Sequence, residues 1–155
     1  MSIELNEIDK KILSEVSNNA RIPAKALARK IDVHPNTLLQ RMKRLQEKGV
    51  IQGYHGYLDY DQLGYGLHLV ILMKLEHVDP GEDQMRLEEL LKMKELEAMY
   101  AITGEWDLVS VWRVKDRKHL NCVIKKVTRT PAVTRTLTNL ILHTYRNPNE
   151  FNPMK

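Results

Sequence analysis

The segment from Ala24 to Ile51, AKALARKIDVHPNTLLQRMKRLQEKGVI, constrains this chain more than any other. It reads as two helices joined by a tight turn, followed by entry into a strand. The second helix starts near His34-Pro35-Asn36, and Leu38, Leu39, Met42 and Leu45 recur there at the three- and four-residue spacing of one buried face. Around that stripe stand Thr37, Gln40, Arg41, Lys43 and Arg44. Arg and Lys neutralise phosphate, while Asn, Gln, Thr and Arg carry the groups that read base edges in a DNA major groove. A basic amphipathic helix is more often only a solvated surface, so the preceding helix matters. Pro23 suits a first helical turn. Ala26, Leu27, Ala28 and Ile31 give a small apolar face that a second helix can approach closely. Ile31-Asp32-Val33-His34 is short enough for a helix-turn-helix corner. Arg21, Lys25, Arg29 and Lys30 add four positive charges.

The 155 residues hold one ordinary domain or two small ones, and 43% hydrophobic with 28% charged residues is the balance of a soluble globular protein. The longest apolar run, Leu69 to Met73, is too short to span a membrane and reads as a buried strand. The start, MSIELNEIDKK, has no apolar signal core. A single cysteine, Cys122, excludes an internal disulfide framework and fits a reducing cytoplasm. The histidines at 34, 55, 68, 77, 119 and 143 are scattered, so each reads as structural or solvated, and no metal or cofactor is expected. Charge is uneven. Residues 1–58 hold ten Lys and Arg against six Asp and Glu, whereas 59–155 hold fourteen of each. All of the net +4 therefore falls in the N-terminal part, where a nucleic-acid partner leaves its footprint.

In chain order, Leu5 to Val16 is a helix capped by Asn6, with Asp9 in a capping-box position. Gly49 is placed to end the recognition helix in a left-handed cap. Val50 to Leu58 reads as a strand or small hairpin, a wing or tether. Asp59 to Gly66, DYDQLGYG, is a hinge by composition, dividing a first domain, 1–58, from a second, 67–146. The second half alternates strands and helices: strand Leu67 to Glu76; turn Asp79-Pro80-Gly81; helix Glu82 to Met93 with Leu87, Leu90 and Leu91 inward; strand Leu96 to Thr103. After the tight turn Gly104-Glu105-Trp106-Asp107 come strand Leu108 to Val114, helix Asp116 to Val127, and strand Val133 to Tyr145. This β-α-β-β-α-β order is a ferredoxin-like split unit, so the fold class is α+β. The tail 147–155 reads as mobile or as an arm on a neighbour.

A sheet with helices on one face should alternate apolar and polar residues. Here Val70 and Leu72 oppose Leu69, Ile71 and Met73, and Val109 and Val111 oppose Leu108 and Trp112. Both faces need cover, and a second copy's sheet supplies the missing layer. A homodimer through the second domain is expected, which would also place two recognition helices on a pseudo-palindromic site.

The chain resembles the Lrp/AsnC, or feast/famine, family of transcription regulators over nearly its whole length. The signals are Leu5 with Asp9 and Ile12-Leu13; Ala20-Arg21; Leu27-Ala28; Arg41 with Lys43-Arg44-Leu45; Gly49-Val50-Ile51; Leu63-Gly64; Thr103 to Asp107; and Val133 to Thr138. No one of them is specific, but they occur in order with the right gaps. The resemblance implies a winged helix-turn-helix at the N-terminus, a ferredoxin-like effector domain at the C-terminus, dimers often assembled into octamers, and an amino-acid effector. It implies an effector site at Thr103, Gly104, Glu105, Trp106 and Asp107, with Asp107 pairing an α-ammonium and Thr136 and Thr138 adding hydroxyls. The DNA-binding set is Arg21, Lys25, His34, Asn36, Thr37, Gln40, Arg41, Lys43 and Arg44. The family often has a hydroxyl residue where His34 stands. If Asn36 caps the helix instead, the helix starts later and His34 reaches the DNA.

The leading expectation is a sequence-specific transcription regulator tuned by a small molecule, cytoplasmic, with no enzymatic activity. An enzyme of the siroheme-decarboxylase type shares the two-domain architecture, but His68, His119 and His143 form no clustered signature. A chromatin-like organiser with little sequence preference is the third reading.

Overall fold

The computed structural model describes residues 4–76 and 80–146. The expected tail 147–155 and Asp79 of the expected turn lie outside these residues, and the other two turn residues, Pro80 and Gly81, begin a helix instead. The chain forms two compact units that divide between Tyr57 and Leu58.

The first unit is a three-helix core: α1 (Glu7–Asn18), α2 (Ala24–Lys30) and α3 (Pro35–Glu47). Asn6 caps α1 by accepting from Asp9 N at 2.9 Å, and Asp9 answers Asn6 N, completing the capping box. Ile12, Val16, Leu27, Ala28, Ile31, Leu38 and Leu45 are buried together. Two expected core residues are not: Ala26 is exposed, and Leu39 is 52% exposed on the outward side of α3. The α2–α3 corner turns through Asp32 at φ 56°, a left-handed geometry that an aspartate tolerates. His34, rather than Asn36, caps α3: its Nδ1 accepts from Asn36 N at 3.3 Å. Gly49 adopts φ 70°, letting Val50 N and Ile51 N fold back onto Leu45 O.

The wing expected in Val50 to Leu58 is not a strand. Its backbone needs a ladder partner, and the described residues of this unit contain no strand to supply one. Tyr54, Tyr57 and Leu58 are exposed instead.

The second unit is a four-stranded antiparallel sheet of order β2-β3-β1-β4, with β1 Leu67–Leu75, β2 Leu96–Ala101, β3 Leu108–Val114 and β4 Val133–Leu140. Its helices are α4 (Pro80–Arg86), α5 (Glu88–Leu91) and α6 (Arg117–Arg129). The single helix expected over 82–93 is two short ones, broken at Leu87; Leu87 and Leu90 are buried, whereas Leu91 is 43% exposed. β2 stops before Thr103 because Ile102 N already bonds Asp107 O, closing the turn. β4 stops before Tyr145 because Ile141 N takes the last β1 carbonyl, that of His68. Leu142 and Tyr145 then project into solvent.

One sheet face is the core. Leu69, Ile71 and Met73 pair with Trp112, Ser110 and Leu108 and pack with Val123, Val127 and Leu90. Ser110 Oγ donates to Ile71 O at 2.9 Å and accepts Trp112 Nε1 at 2.7 Å, so the buried indole is satisfied. The opposite face carries Val70, Leu72, Val109, Val111 and Leu137, which share their side of the sheet by register. Val70, Leu72, Val109 and Val111 are only partly buried and Leu137 is 44% exposed.

Asp59 to Gly66 is a built turn of the second unit. Asp59 accepts from Asp61 N and Gln62 N, while Tyr60 lies under the Arg113 guanidinium and Tyr65 under the Lys115 ammonium.

Candidate nucleic-acid interface and effector turn

Burial of Leu38 and Leu45 fixes which way α3 faces. Asn36, Thr37, Gln40, Lys43 and Arg44 are consequently exposed, together with Leu39. These residues offer amide, hydroxyl, cationic and methyl groups, the chemistry of both phosphate contact and base-edge contact. Among the described residues Lys43 has only a loose exposed partner, Glu47 at 3.7 Å. Arg21 and Lys25 are exposed near the start of α2. His34 is exposed, with Nδ1 occupied by its cap.

Arg41 departs from the expected phosphate-binding set. Its Nη1 donates to Asp9 Oδ1 at 2.9 Å, and the acid is almost fully buried, so this cation is an internal strut between α3 and α1. Arg44 differs: Nη1 is 4.0 Å from Asp9 Oδ2 and half of its side chain is exposed. The packing stripe in the sequence does not separate these two arginines, because only the position of Asp9 does.

In the second unit, Gly104 takes φ 114°, a conformation glycine adopts without strain, and makes the tight turn between β2 and β3. Asp107 does not present a free carboxylate to an ammonium. Its Oδ2 accepts Leu75 N at 2.8 Å and its Oδ1 accepts Lys74 Nζ at 2.9 Å. These two bonds hold its carboxyl below the ordinary value. Thr136 and Thr138 also fall elsewhere than expected. They pair with Met73 and Ile71, which puts them on the helix-covered face. The residue of β4 that meets the turn is Arg135: its guanidinium stacks over Trp106 at 5.0 Å and its Nη1 lies 3.6 Å from Glu105 Oε1. Thr103 and Glu105 are exposed beside it. Sequence reading passed over Arg135 although it stands in the Val133 to Thr138 motif; strand alternation from Thr136 was the signal for its opposite orientation.

The histidines of this unit have separate surroundings. His119 Nε2 is 2.9 Å from Glu95, His143 packs edge-on against Tyr145, and His68 lies beside Arg113 and Glu97. No helix among the described residues is long and apolar enough to cross a membrane.

Comparison with known proteins matches both halves. Residues 5–52 match the winged helix-turn-helix DNA-binding model, and residues 69–151 match the Lrp/AsnC ligand binding domain. The HTH-type transcriptional regulator FL11 of Pyrococcus horikoshii is 30% identical over 155 residues, the whole of both chains. An uncharacterised HTH-type transcriptional regulator of Pyrococcus abyssi is 30% identical over 96% of this chain and 99% of its own. Among solved structures, a transcriptional regulator of Neisseria meningitidis in complex with L-Met has a TM-score of 0.86 at 21% identity, covering 93% of this chain and 94% of that one. The leucine response regulatory protein of Mycobacterium tuberculosis gives 0.79 at 25% identity, covering 96% and 99%. The chain thus belongs to the Lrp/AsnC family of transcriptional regulators, with an N-terminal helix-turn-helix that binds DNA and a C-terminal ligand-binding domain.

Proposed function

We propose that the outward face of α3 enters the major groove, with Asn36, Thr37 and Gln40 at base edges and Lys43 and Arg44 on phosphates, assisted by Arg21, Lys25 and His34. The observation that carries this is the orientation of α3, whose buried leucines leave every one of its expected DNA-contacting residues except Arg41 in solvent. The effector is an amino acid held at Thr103 to Trp106. Glu105 and Arg135, of opposite charge and 3.6 Å apart, match the two ends of a zwitterion, and Trp106 supplies an apolar wall. The partly exposed apolar sheet face supports a homodimer, with octamers as a further assembly, and effector binding coupled to assembly would tune DNA affinity. The labour divides between residues 1–58 and 67–146, joined through 59–66. The protein acts in the cytoplasm as a regulator and not as an enzyme.

The test is binding to the protein's own upstream DNA against scrambled DNA, over a salt series, with and without pooled amino acids. Preference for the upstream DNA that weakens steeply with salt is expected, with a shift on adding amino acids. Equal binding to both DNAs would favour an organiser, and no binding at low salt would overturn the reading.

A further inference from the structure

The fourteen basic and fourteen acidic residues of 59–155 are segregated. Residues 76–107 hold ten acidic and three basic residues, a net of −7, and 108–135 hold eight basic and one acidic, a net of +7. Within the positive block, Arg113, Lys115 and Arg135 lie over Tyr60, Tyr65 and Trp106. The other five, Arg117, Lys118, Lys125, Lys126 and Arg129, are all on α6, all exposed, and make no ion pair among the described residues. At about 100° per residue, Lys118, Lys125 and Arg129 fall within about 40° of one another, in a row about 16 Å long. Val123 and Val127, on the other side of the helix, are buried.

Ordinary helix-surface chemistry does not account for this row. α1, α3 and α4 each carry an internal Lys–Glu or Arg–Glu pair at three- or four-residue spacing, and Glu88 of α5 pairs with Lys92 just past its end. α6 instead places like charges, Lys125 and Arg129, four residues apart, which destabilises a helix. The helix dipole favours Lys126 and Arg129 in the last turn but opposes Arg117 and Lys118 in the first, beside the acidic N-cap Asp116. Sequence reading had no view of this patch, because the net charge of the whole half is zero.

We propose that the exposed row of α6 is a second DNA contact that grips phosphates of the duplex beyond the recognition-helix site. Phosphate contact of this kind adds affinity without sequence preference. The inference rests on the DNA-binding reading above.

The experiment uses the full chain, wild type and K118Q/K125Q/R129Q, on its own upstream DNA cut to about two and about six helical turns. Each lost phosphate contact lowers the slope of log affinity against log salt by about 0.9. The triple variant should show a slope shallower by about 2 to 3 on the long duplex, with little change on the short one and a thermal melt no lower than that of the wild type. Equal slopes for the two proteins on the long duplex would overturn the proposal. A changed oligomeric state with an unchanged slope would also overturn it, assigning the row to the acidic surface of a second copy. K43Q/R44Q, measured alongside, separates the two readings: unchanged affinity there sinks the recognition-helix assignment, while the α6 result stands on its own slope.

Discussion

Arg41 Nη1 donates to the buried Asp9 Oδ1 at 2.9 Å, tying α3 to the first turn of α1, and the same acid closes the capping box with Asn6. Replacing Asp9 with alanine leaves the half-buried guanidinium unpaired and uncaps α1. The exposed part of Arg41 tempers the cost, so the expected loss is about 1–3 kcal/mol of stability. Urea unfolding measures it; a loss within experimental error would mean the strut is ornamental and Arg41 is available to DNA after all.

Leu38 and Leu39 are adjacent but face opposite ways. Leu38 is fully buried, so Leu38→Ala should cost about 2–5 kcal/mol. Leu39 is 52% exposed, so Leu39→Ala should stay within about 0.5 kcal/mol. An exposed leucine on a recognition helix meets thymine methyls, so the Leu39 variant should change preference among DNA sequences more than it changes stability. Comparable destabilisation by both variants would contradict the orientation of α3.

Val111 lies on the open sheet face, paired with Val70 and next to Val109's partner Leu72. Val111→Glu puts a charge in the centre of the apolar patch, which a lone subunit tolerates at the surface and a buried dimer interface does not. Sedimentation should show the wild type as dimers or larger and the variant shifted toward monomer. Identical masses would move the self-association surface elsewhere.

Much of this was legible in the sequence for a physical reason. The spacing of Leu38, Met42 and Leu45 can satisfy only a helix buried on one side, and the double apolar faces of β1 and β3 follow from side chains alternating along a strand. Asn6 and Asp9 announced their cap because three-residue spacing is what the capping box requires. What failed depended on distant partners. Asp107 looked free until Lys74 and the Leu75 amide, 33 and 32 residues away in sequence, were brought onto it. Thr136 and Arg135 exchanged roles because a one-residue choice of strand face is set by pairing with β1, which the local pattern does not specify. Val50 to Leu58 has strand-like composition, but a strand is a property of two segments, and the described residues of this unit hold no second one.

His68 gives a pH prediction. Burial first, and then the Arg113 guanidinium, hold its pKa below the ordinary 6.5, against the opposing pull of Glu97 and Asp61. Glu97 Oε2 is 3.4 Å from Nε2, yet that nitrogen makes no hydrogen bond. With the folded value depressed, the unfolded chain protonates first. Stability should hold above pH 6.5 and decline as pH falls below it, down to the lower folded value. Urea midpoints of wild type and His68→Gln should converge as the medium is acidified through this window; a constant difference would contradict it.

Asp107 separates a structural role from an effector role. The Leu75 amide first, and the Lys74 ammonium second, stabilise its carboxylate and lower its pKa below 3.8. Its contribution to stability should therefore be complete above pH 3.8 and be lost as pH falls through the lower folded value. Asp107→Asn removes the charge at every pH. The variant should unfold at lower urea than wild type at neutral pH, and the difference should shrink on acidification below pH 3.8. An Asp107 that instead gripped the ammonium of an amino acid would give the opposite pattern: the variant would match wild type in urea and lose its DNA-binding response to amino acids. Glu105→Gln is the converse case. Among the described residues that exposed acid makes only a loose contact with Arg135, so its loss should spare stability and blunt the response. Calorimetric titration with pooled amino acids, run on both variants beside urea unfolding, distinguishes the two carboxylates.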